Sequence, residues 1–466
     1  MKVVLLTCLF AAACSDVQNV GYTGAVTASP RPAVGAARWA LAVGGAGNDR
    51  ARGVGFLSSG DVVVAVDEAP LDPADDSGTL GAFGAFVTRR AAADGSEQWR
   101  VPFAFGESSH CDPAALAIDS QDNVIVIGAY WGTVDFGGQQ LVLPIGNPPD
   151  RVDSFIAKLA PDGHALWARG LTPSADSSSL SVAIGPNDAI VVTGDVFDGT
   201  AQLGAATFSD SSSDQHGYVV ELDGDGSVVW GSVFGPGTQP ENITVTAAGD
   251  LAITGSVAMP TMIGSALLDP GGRNSAPYVA RFSSAGAFES AHVIATPGDF
   301  EADGLGVAAP SAGMLLVQTS EMGSASLGDN AVHAYDGAGN ELWTTTIPNH
   351  GSFGPPIRTL LTTNDGRILS TTWNDAPYNA DHPELTTGSL EVVSFDALGS
   401  ASTTTLGQRM AATPAEITVF FRATAAADGE LALGGQIGGT IDVGTGPVSA
   451  HGSLDVDAFV VVVDPP

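Results

Sequence analysis

One hairpin recurs along the chain, and it limits the fold more than any other feature. It consists of an aromatic-apolar strand, an Asp-Gly turn and a strand ending in Trp: Phe155-Ile156-Ala157-Lys158-Leu159, Asp162-Gly163, Leu166-Trp167. It returns as Tyr218 to Leu222, Asp223-Gly224-Asp225-Gly226, Val229-Trp230, and as Ala334-Tyr335, Asp336-Gly337, Leu342-Trp343. Phe86-Val87, Asp94-Gly95, Trp99 is an earlier copy; Tyr278-Val279 with Gly286, and Val392 to Phe395 with Gly399, are copies without the Trp. A second hairpin lies between them, clearest as Leu180 to Ile184, Pro186-Asn187-Asp188, Ile190 to Gly194. Its second strand recurs at Val62 to Val66, Val124 to Gly128, Leu251 to Gly255, Met314 to Val317, Arg367 to Ser370 and Leu431 to Gly434. A third motif follows several of these: Gly132-Thr133-Val134-Asp135-Phe136-Gly137, Gly199 to Gly204, Gly439 to Gly444, and a shortened Thr261 to Gly264.

Two hairpins per unit make four strands, named a, b, c and d in chain order. Trp39, Trp99, Trp167 and Trp230 stand 60, 68 and 63 residues apart, and Trp343 follows two units later, with Phe288 near the slot between. Units therefore run from about residues 39, 99, 167, 230, 289, 343 and 401. A four-stranded unit buries its faces only against copies of itself, which predicts an all-β propeller of seven blades, six to eight if the weaker units are counted differently. The unbroken apolar run Val124-Ile125-Val126-Ile127 fits a strand covered on both faces. The last unit stops after its c strand, Phe459 to Val463, while Arg38 to Val43 is a Trp-bearing strand without a hairpin partner. Pairing the two would complete the last blade and remove an exposed edge.

Composition agrees. Among 466 residues there are 59 Gly and 28 Pro with no collagen-like period, and 44% are hydrophobic, so many turns join short strands around a real core. The net charge is −34, which repels nucleic-acid phosphates and anionic lipid headgroups and excludes nucleic acid as a partner. No Gly-x-Ser-x-Gly elbow, Walker loop, His-Glu-x-x-His or dinucleotide fingerprint is present, and the 8 His are scattered singly. No catalytic residue and no cofactor is assigned.

The N-terminus reads as an export signal. Lys2 gives a positive start, Val3 to Phe10 an apolar stretch too short to span a bilayer, and Ala11-Ala12-Ala13 a small-residue cleavage site before Cys14. Residues 1–13 are expected to be a signal peptide, 14–37 a flexible linker and 38–466 the propeller. Phe10-Ala11-Ala12-Ala13-Cys14 resembles the lipobox of bacterial lipoproteins, with Ala11 where that family usually has Leu. The resemblance implies lipid on Cys14, membrane attachment through it, and, with Ser15 following, the outer membrane or cell surface. Ordinary cleavage before Cys14, giving a secreted or periplasmic protein, is the alternative. With Cys8 in the signal and Cys14 acylated, Cys111 is left without a disulfide partner.

The a–b and c–d turns fall on one face of such a disc, and the longer b–c and d–a loops on the other, where a ligand site is expected. The Asp-Gly pairs are read as hairpin turns and not as calcium loops. On the loop face, Tyr130 and Trp131, and Trp373 with Asn374, Asp375 and Tyr378, are candidates for stacking on a sugar or anchoring a protein, against rings that merely cap blade edges. Asp67, Asp72, Asp75 and Asp76 are a candidate Ca²⁺ cluster, against a solvated acidic loop. His110-Cys111-Asp112 offers three ligand types, but adjacent residues rarely converge on one ion.

The units from Trp39 onward resemble the β-propeller repeats of predicted surface lipoproteins of myxobacteria and their relatives. The matching residues are Gly132 to Gly137, Asp153-Ser154-Phe155-Ile156-Ala157-Lys158-Leu159 and Asp162-Gly163-His164-Ala165-Leu166-Trp167. That resemblance implies a fold and a location but no activity. The hairpin ending in Gly-x-x-x-Trp also looks like the repeat of quinoprotein propellers, which include dehydrogenases and an outer-membrane lipoprotein scaffold for β-barrel assembly. The chain lacks the adjacent Cys pair of many alcohol-oxidising members. The expectation is a non-catalytic envelope lipoprotein that binds an envelope protein or a glycan. A quinoprotein-like or carbohydrate-active propeller enzyme is the alternative.

Overall fold

The structure is a computed structural model that describes residues 34–465 apart from 46, 71–83, 106–108, 144–151, 172–174, 204–205, 211–213, 297–300, 312, 324–325, 348–358, 364–365, 376–387, 410–417 and 452–455. The expected signal peptide, Cys14 and nearly all of the expected linker lie outside the described residues. Those described are almost entirely strand and turn, with one 3₁₀ turn at Pro186–Asp188. No helix among them is long and apolar enough to cross a membrane.

Seven units of four antiparallel strands follow one another among the described residues. The second is typical: His110–Ile118, Val124–Asp135, Asp153–Leu159 and Ala165–Gly170 serve as a, b, c and d. The other a strands are Gly47–Phe56, Ala175–Ile184, Thr238–Val245, Glu301–Ser311, Leu361–Thr362 and Thr418–Ala425. The seventh unit joins both regions of the chain. Thr418–Ala425, Leu431–Gly438 and Val456–Val463 pair in order, and Ala37–Val43 lies antiparallel on the last as its d strand, with Trp39 opposite Val462 and Val43 opposite Ala458.

The apolar residues sort by seam. Val63, Ala65 and Val87 of the first blade share a cluster with Val124, Val126 and Phe155 of the second. Alternate residues on the same first-blade strand, Val62, Val64 and Val66, join Trp39, Val460 and Val462 of the seventh. Five further clusters occupy the remaining five seams. The b and c strands of the second blade, Val124–Asp135 and Asp153–Leu159, are thus buried on both faces along their inner parts, which is why their apolar runs are continuous instead of alternating.

The repeated motifs make the bonds between blades. In four seams the Trp of one d strand donates its indole N–H to a carbonyl in the next blade's c–d turn. Trp39 bonds Ala92 at 3.1 Å, Trp99 bonds Pro161 at 3.1 Å, Trp167 bonds Gly224 at 3.2 Å and Trp343 bonds Ala397 at 3.2 Å. The ring lies over the turn glycine, where a Cβ would collide: one on Gly95 would sit 2.9 Å from the Trp39 ring, and one on Gly399 2.6 Å from that of Trp343. The same glycines have φ of +71° and +82°, so both backbone and packing demand glycine. Trp230 packs on Gly286 in the same manner without the hydrogen bond. Where a c–d turn carries an Asp, that Asp accepts backbone amides, as Asp223 does from Asp225 and Ser227; in the fourth blade the Ser283 hydroxyl accepts from Ala287 instead. The a–b turns are tied as well: Ser58 donates to Asp122 and Ser120 to Asp188 of the following blade.

The Gly-Thr-Val-Asp-Phe-Gly motif is a clasp. Its strand extends b of the second blade until Val134 and Asp135 pair with Phe105 and Ala104 on the d strand of the first. Val134 and Phe136 enter the core between those blades, and Asp135 caps the turn at Gly138. The copy at 439–444 reaches back in the same way, pairing Ile441 and Asp442 with Arg409 and Gln408 of the sixth blade.

Candidate functional site

The a strands carry a β-bulge at a matching place in six blades, seen as register shifts at Ala51/Gly53, Pro113/Ala115, Ser179/Ser181, Pro240/Asn242, Gly304/Gly306 and Phe420/Arg422. A bulge leaves its extra residue outside the ladder and re-aims what surrounds it. Here it frees the carbonyls of Ala114 and Leu180, and the guanidinium of Arg422 reaches across from the seventh blade to donate to both, at 3.0 and 3.1 Å. Beside it lies a cavity of about 450 Å³ whose wall takes residues from all seven a strands, among them Val54, Leu116, Val182, Ile243, Val307, Leu361 and Ala423. Its lining is apolar and hydroxylic apart from the amide of Asn242 and Arg422, its one charged side chain among the described residues. Sequence reasoning missed Arg422, because no repeat position marks a contact made across the axis.

The loop face of the first, second and seventh blades gathers carboxylates. Arg52, the extra residue of the first bulge, donates from Nε to Asp67 Oδ2 at 2.8 Å. The other oxygen of Asp67 is buried and accepts no hydrogen bond, and Asp67 itself is only 8% exposed. Burial pushes its carboxyl up to about 6, with Arg52 opposing and Asp112 adding to the rise. Asp49, 2% exposed, accepts the Gly45 amide at 2.7 Å; burial raises it to about 7, helped by the charges of Glu68, Asp457 and Asp67. Burial also raises Glu68. Asp457 is fully buried; Oδ2 accepts from the backbone and ring of His451 at 2.8 and 2.7 Å, and Oδ1 has no hydrogen-bond partner. Asp112 likewise keeps one buried oxygen unbonded.

The expected ring cluster is differently arranged. Tyr130 and Trp131 are neighbours on a strand, so they point to opposite faces. Tyr130 is 2% exposed, packed edge-on to Phe155 with its hydroxyl 3.5 Å from Asp153, which corrects the expectation of a ring open to a ligand there. Trp131 is half-buried and stacked on His110 at 3.8 Å with the planes 2° apart, so one of its faces is already covered. Trp373, Asn374 and Asp375 end the b strand Ile368–Asp375 of the sixth blade; Tyr378 lies outside the described residues. Asp72, Asp75 and Asp76 also lie outside them, and Asp67 is committed to Arg52. His110, Cys111 and Asp112 do not converge: Cys111 is a free thiol buried in the core, while His110 and Asp112 turn the other way. Among the described residues no group of three or more His, Cys, Asp or Glu is placed to hold a metal ion.

No family model matches the chain, and no curated protein matches it. Solved structures do. The chain is similar to a protein of unknown function from Dyadobacter fermentans, with 10% identity over 94% of this chain and 100% of that one and a TM-score of 0.45. It is also similar to BamB from Moraxella catarrhalis, at 12% identity, covering 91% and 98%, with a TM-score of 0.37. Virginiamycin B lyase from Staphylococcus aureus is similar at 11% identity, covering 75% and 94%, with a TM-score of 0.38. At such identities and TM-scores the likeness says nothing about activity.

Proposed function

We propose that the chain is a non-catalytic lipoprotein of the cell envelope, held at the membrane by lipid on Cys14, whose propeller binds a protein partner with a basic surface through its b–c and d–a loop face. The observation that carries the reading is the contrast between the two faces. On the turn face, Asp and Ser side chains, four seam Trp N–H groups and the turn carbonyls that receive them are engaged in bonds within and between blades. On the loop face, Asp49, Asp67 and Glu68 hold their protons more tightly than ordinary carboxylates, and Asp67, Asp112 and Asp457 keep buried oxygens without hydrogen bonds. Carboxylates in that condition gain from an incoming cation, which restores the interaction with water lost on burial. A net charge of −34 favours the same class of partner at long range.

A photo-crosslinking residue placed at Trp131 on the loop face, or at the 82% exposed Leu398 on the turn face, tests this in intact envelopes. A discrete protein adduct from position 131, weakened by Glu68→Gln with Asp112→Asn, is expected. Adducts from 398 alone would contradict the reading, and a protease-resistant, glycosidase-sensitive adduct from 131 would assign a glycan instead. Cys14→Ser should move the chain from the membrane to the soluble fraction; unchanged membrane recovery would remove the lipid anchor from the account.

A further inference from the structure

The seam between the fourth and fifth blades lacks its tryptophan. In the filled seams the Trp faces the penultimate residue of its own c strand: Trp99 faces Arg89 and Trp167 faces Lys158. In the fourth blade the residue facing Arg281 is Ser290, so Ser290 and not Phe288 holds the Trp position. Phe288 is turned elsewhere, over Gly264 and edge-on to Phe282 at 5.7 Å. The turn glycine that an indole would cover is Gly339, whose φ is +84°. A Cβ there would meet nothing within 4 Å, whereas one on Gly163, Gly226, Gly286 or Gly399 would lie 2.4–3.1 Å from an indole.

A cavity of about 190 Å³ occupies this place, walled by Ser290, His292, Tyr335 and Gly339 among others. A cavity of roughly 150 Å³ suffices for a benzene ring. Its polar group also matches. Gly337 stands two residues before the turn glycine, as Pro161, Gly224 and Ala397 do where their carbonyls accept an indole N–H. Arg281 already donates to the Gly337 carbonyl at 3.1 Å, but Arg89 and Lys158 share the Pro161 and Gly224 carbonyls with an indole in the same way. Tyr335 ends the fifth blade's c strand, as Phe395 ends the sixth's and lies parallel to Trp343 at 6.1 Å.

We propose that this seam is a receptor slot for a tryptophan side chain of a partner polypeptide, its ring laid on Gly339 and its N–H directed to the Gly337 carbonyl. The slot is on the turn side, so it goes beyond the loop-face reading and stands or falls separately from it. The molecule supplies the precedent, since five other seams hold the chain's own indole on the equivalent glycine.

The test is titration of the mature chain with N-acetyl-tryptophanamide, followed by calorimetry and by the resonances of His292. Saturable binding is expected, at least tenfold tighter than for N-acetyl-leucinamide. Ser290→Trp should fill the slot, weaken binding at least tenfold and raise the unfolding midpoint; Ser290→Leu blocks the slot without adding an indole and should weaken binding similarly. Equal affinity for the leucine and tryptophan amides, no binding to the native chain, or native affinity in both variants would overturn the proposal.

Discussion

Trp39→Ala removes the indole that joins the seventh blade to the first, and its cost can be worked from the seam. The side chain is 5% exposed, donates to Ala92 at 3.1 Å, and packs with Val62, Val64 and Val460 in the shared core. Truncating a buried Trp costs about 3–5 kcal/mol, the lost hydrogen bond included. Trp343→Ala deletes the same residue from a seam where the ring is half-exposed and its N–H is solvent-accessible, so about 2 kcal/mol is expected. Gly95→Ala provides an internal control. Its Cβ would come within 2.7 Å of Leu41 and 2.9 Å of Trp39, at a φ of +71°. The strain of the backbone persists without the indole, but the clash with it does not. The two substitutions should therefore couple by about 1 kcal/mol or more in a double-mutant cycle. Guanidinium unfolding by far-ultraviolet circular dichroism, with refolding checked at each point, is the assay. A Trp39→Ala cost no larger than that of Trp343→Ala, together with additivity, would refute the claim that this indole bridges the two blades.

Two further outcomes follow from the interior and the loop face. Arg422→Met removes a charged donor from the carbonyls of Ala114 and Leu180 and should cost about 3 kcal/mol, since hydrogen bonds to a charged group contribute about 1.5–3 kcal/mol each; an unchanged denaturation midpoint would show that the bridge is not made. Asp49 has a folded value of about 7 against 3.8 unfolded, so the folded state favours its proton. Its contribution to stability is full below about pH 4 and is lost as pH rises through 7. Asp49→Asn should thus become progressively more stable relative to the native chain between about pH 4 and pH 7 and level off above, and a difference independent of pH would contradict that environment.

Much of the architecture is legible in the sequence because its signals are local and repeat. Asp-Gly turns mark the c–d hairpins, the Trp four residues after the turn glycine marks the outer d strand, and the unbroken Val-Ile runs report strands covered on both sides. Where the reading slips, the cause is geometric. Every Trp-bearing c–d hairpin carries the same bulge and places the Trp four residues after its turn glycine; four residues after Gly286 stands Ser290, while Phe288, two residues after it, shares only the aromatic chemistry. The sixth blade lacks a Trp for a different reason. Its d strand, Ala401–Arg409, faces a seventh blade whose c and d strands come from opposite regions of the chain, so among the described residues no c–d turn receives an indole there.

The candidate site was harder to read. Tyr130 and Trp131 look equivalent in a list of aromatics, yet strand alternation sends one into the core and leaves the other against His110. Asp67 reads as part of an acidic run continuing to Asp76, but its partner Arg52 is supplied by a bulge on the neighbouring strand. Arg422 has no signal at all at the level of the repeat, because its acceptors belong to the second and third blades.

The central claim is that Ala37–Val43 is the outer strand of the last blade. Hydrogen–deuterium exchange of the peptides covering 37–43 and 456–463 tests it most directly, because strand amides locked in a blade open only with cooperative unfolding. The account predicts that the amides of 456–463 and the inward-facing half of those in 37–43 are protected for hours and lose protection together as denaturant is added. Exchange of every amide in 37–43 within seconds, while 456–463 stays protected, would contradict it.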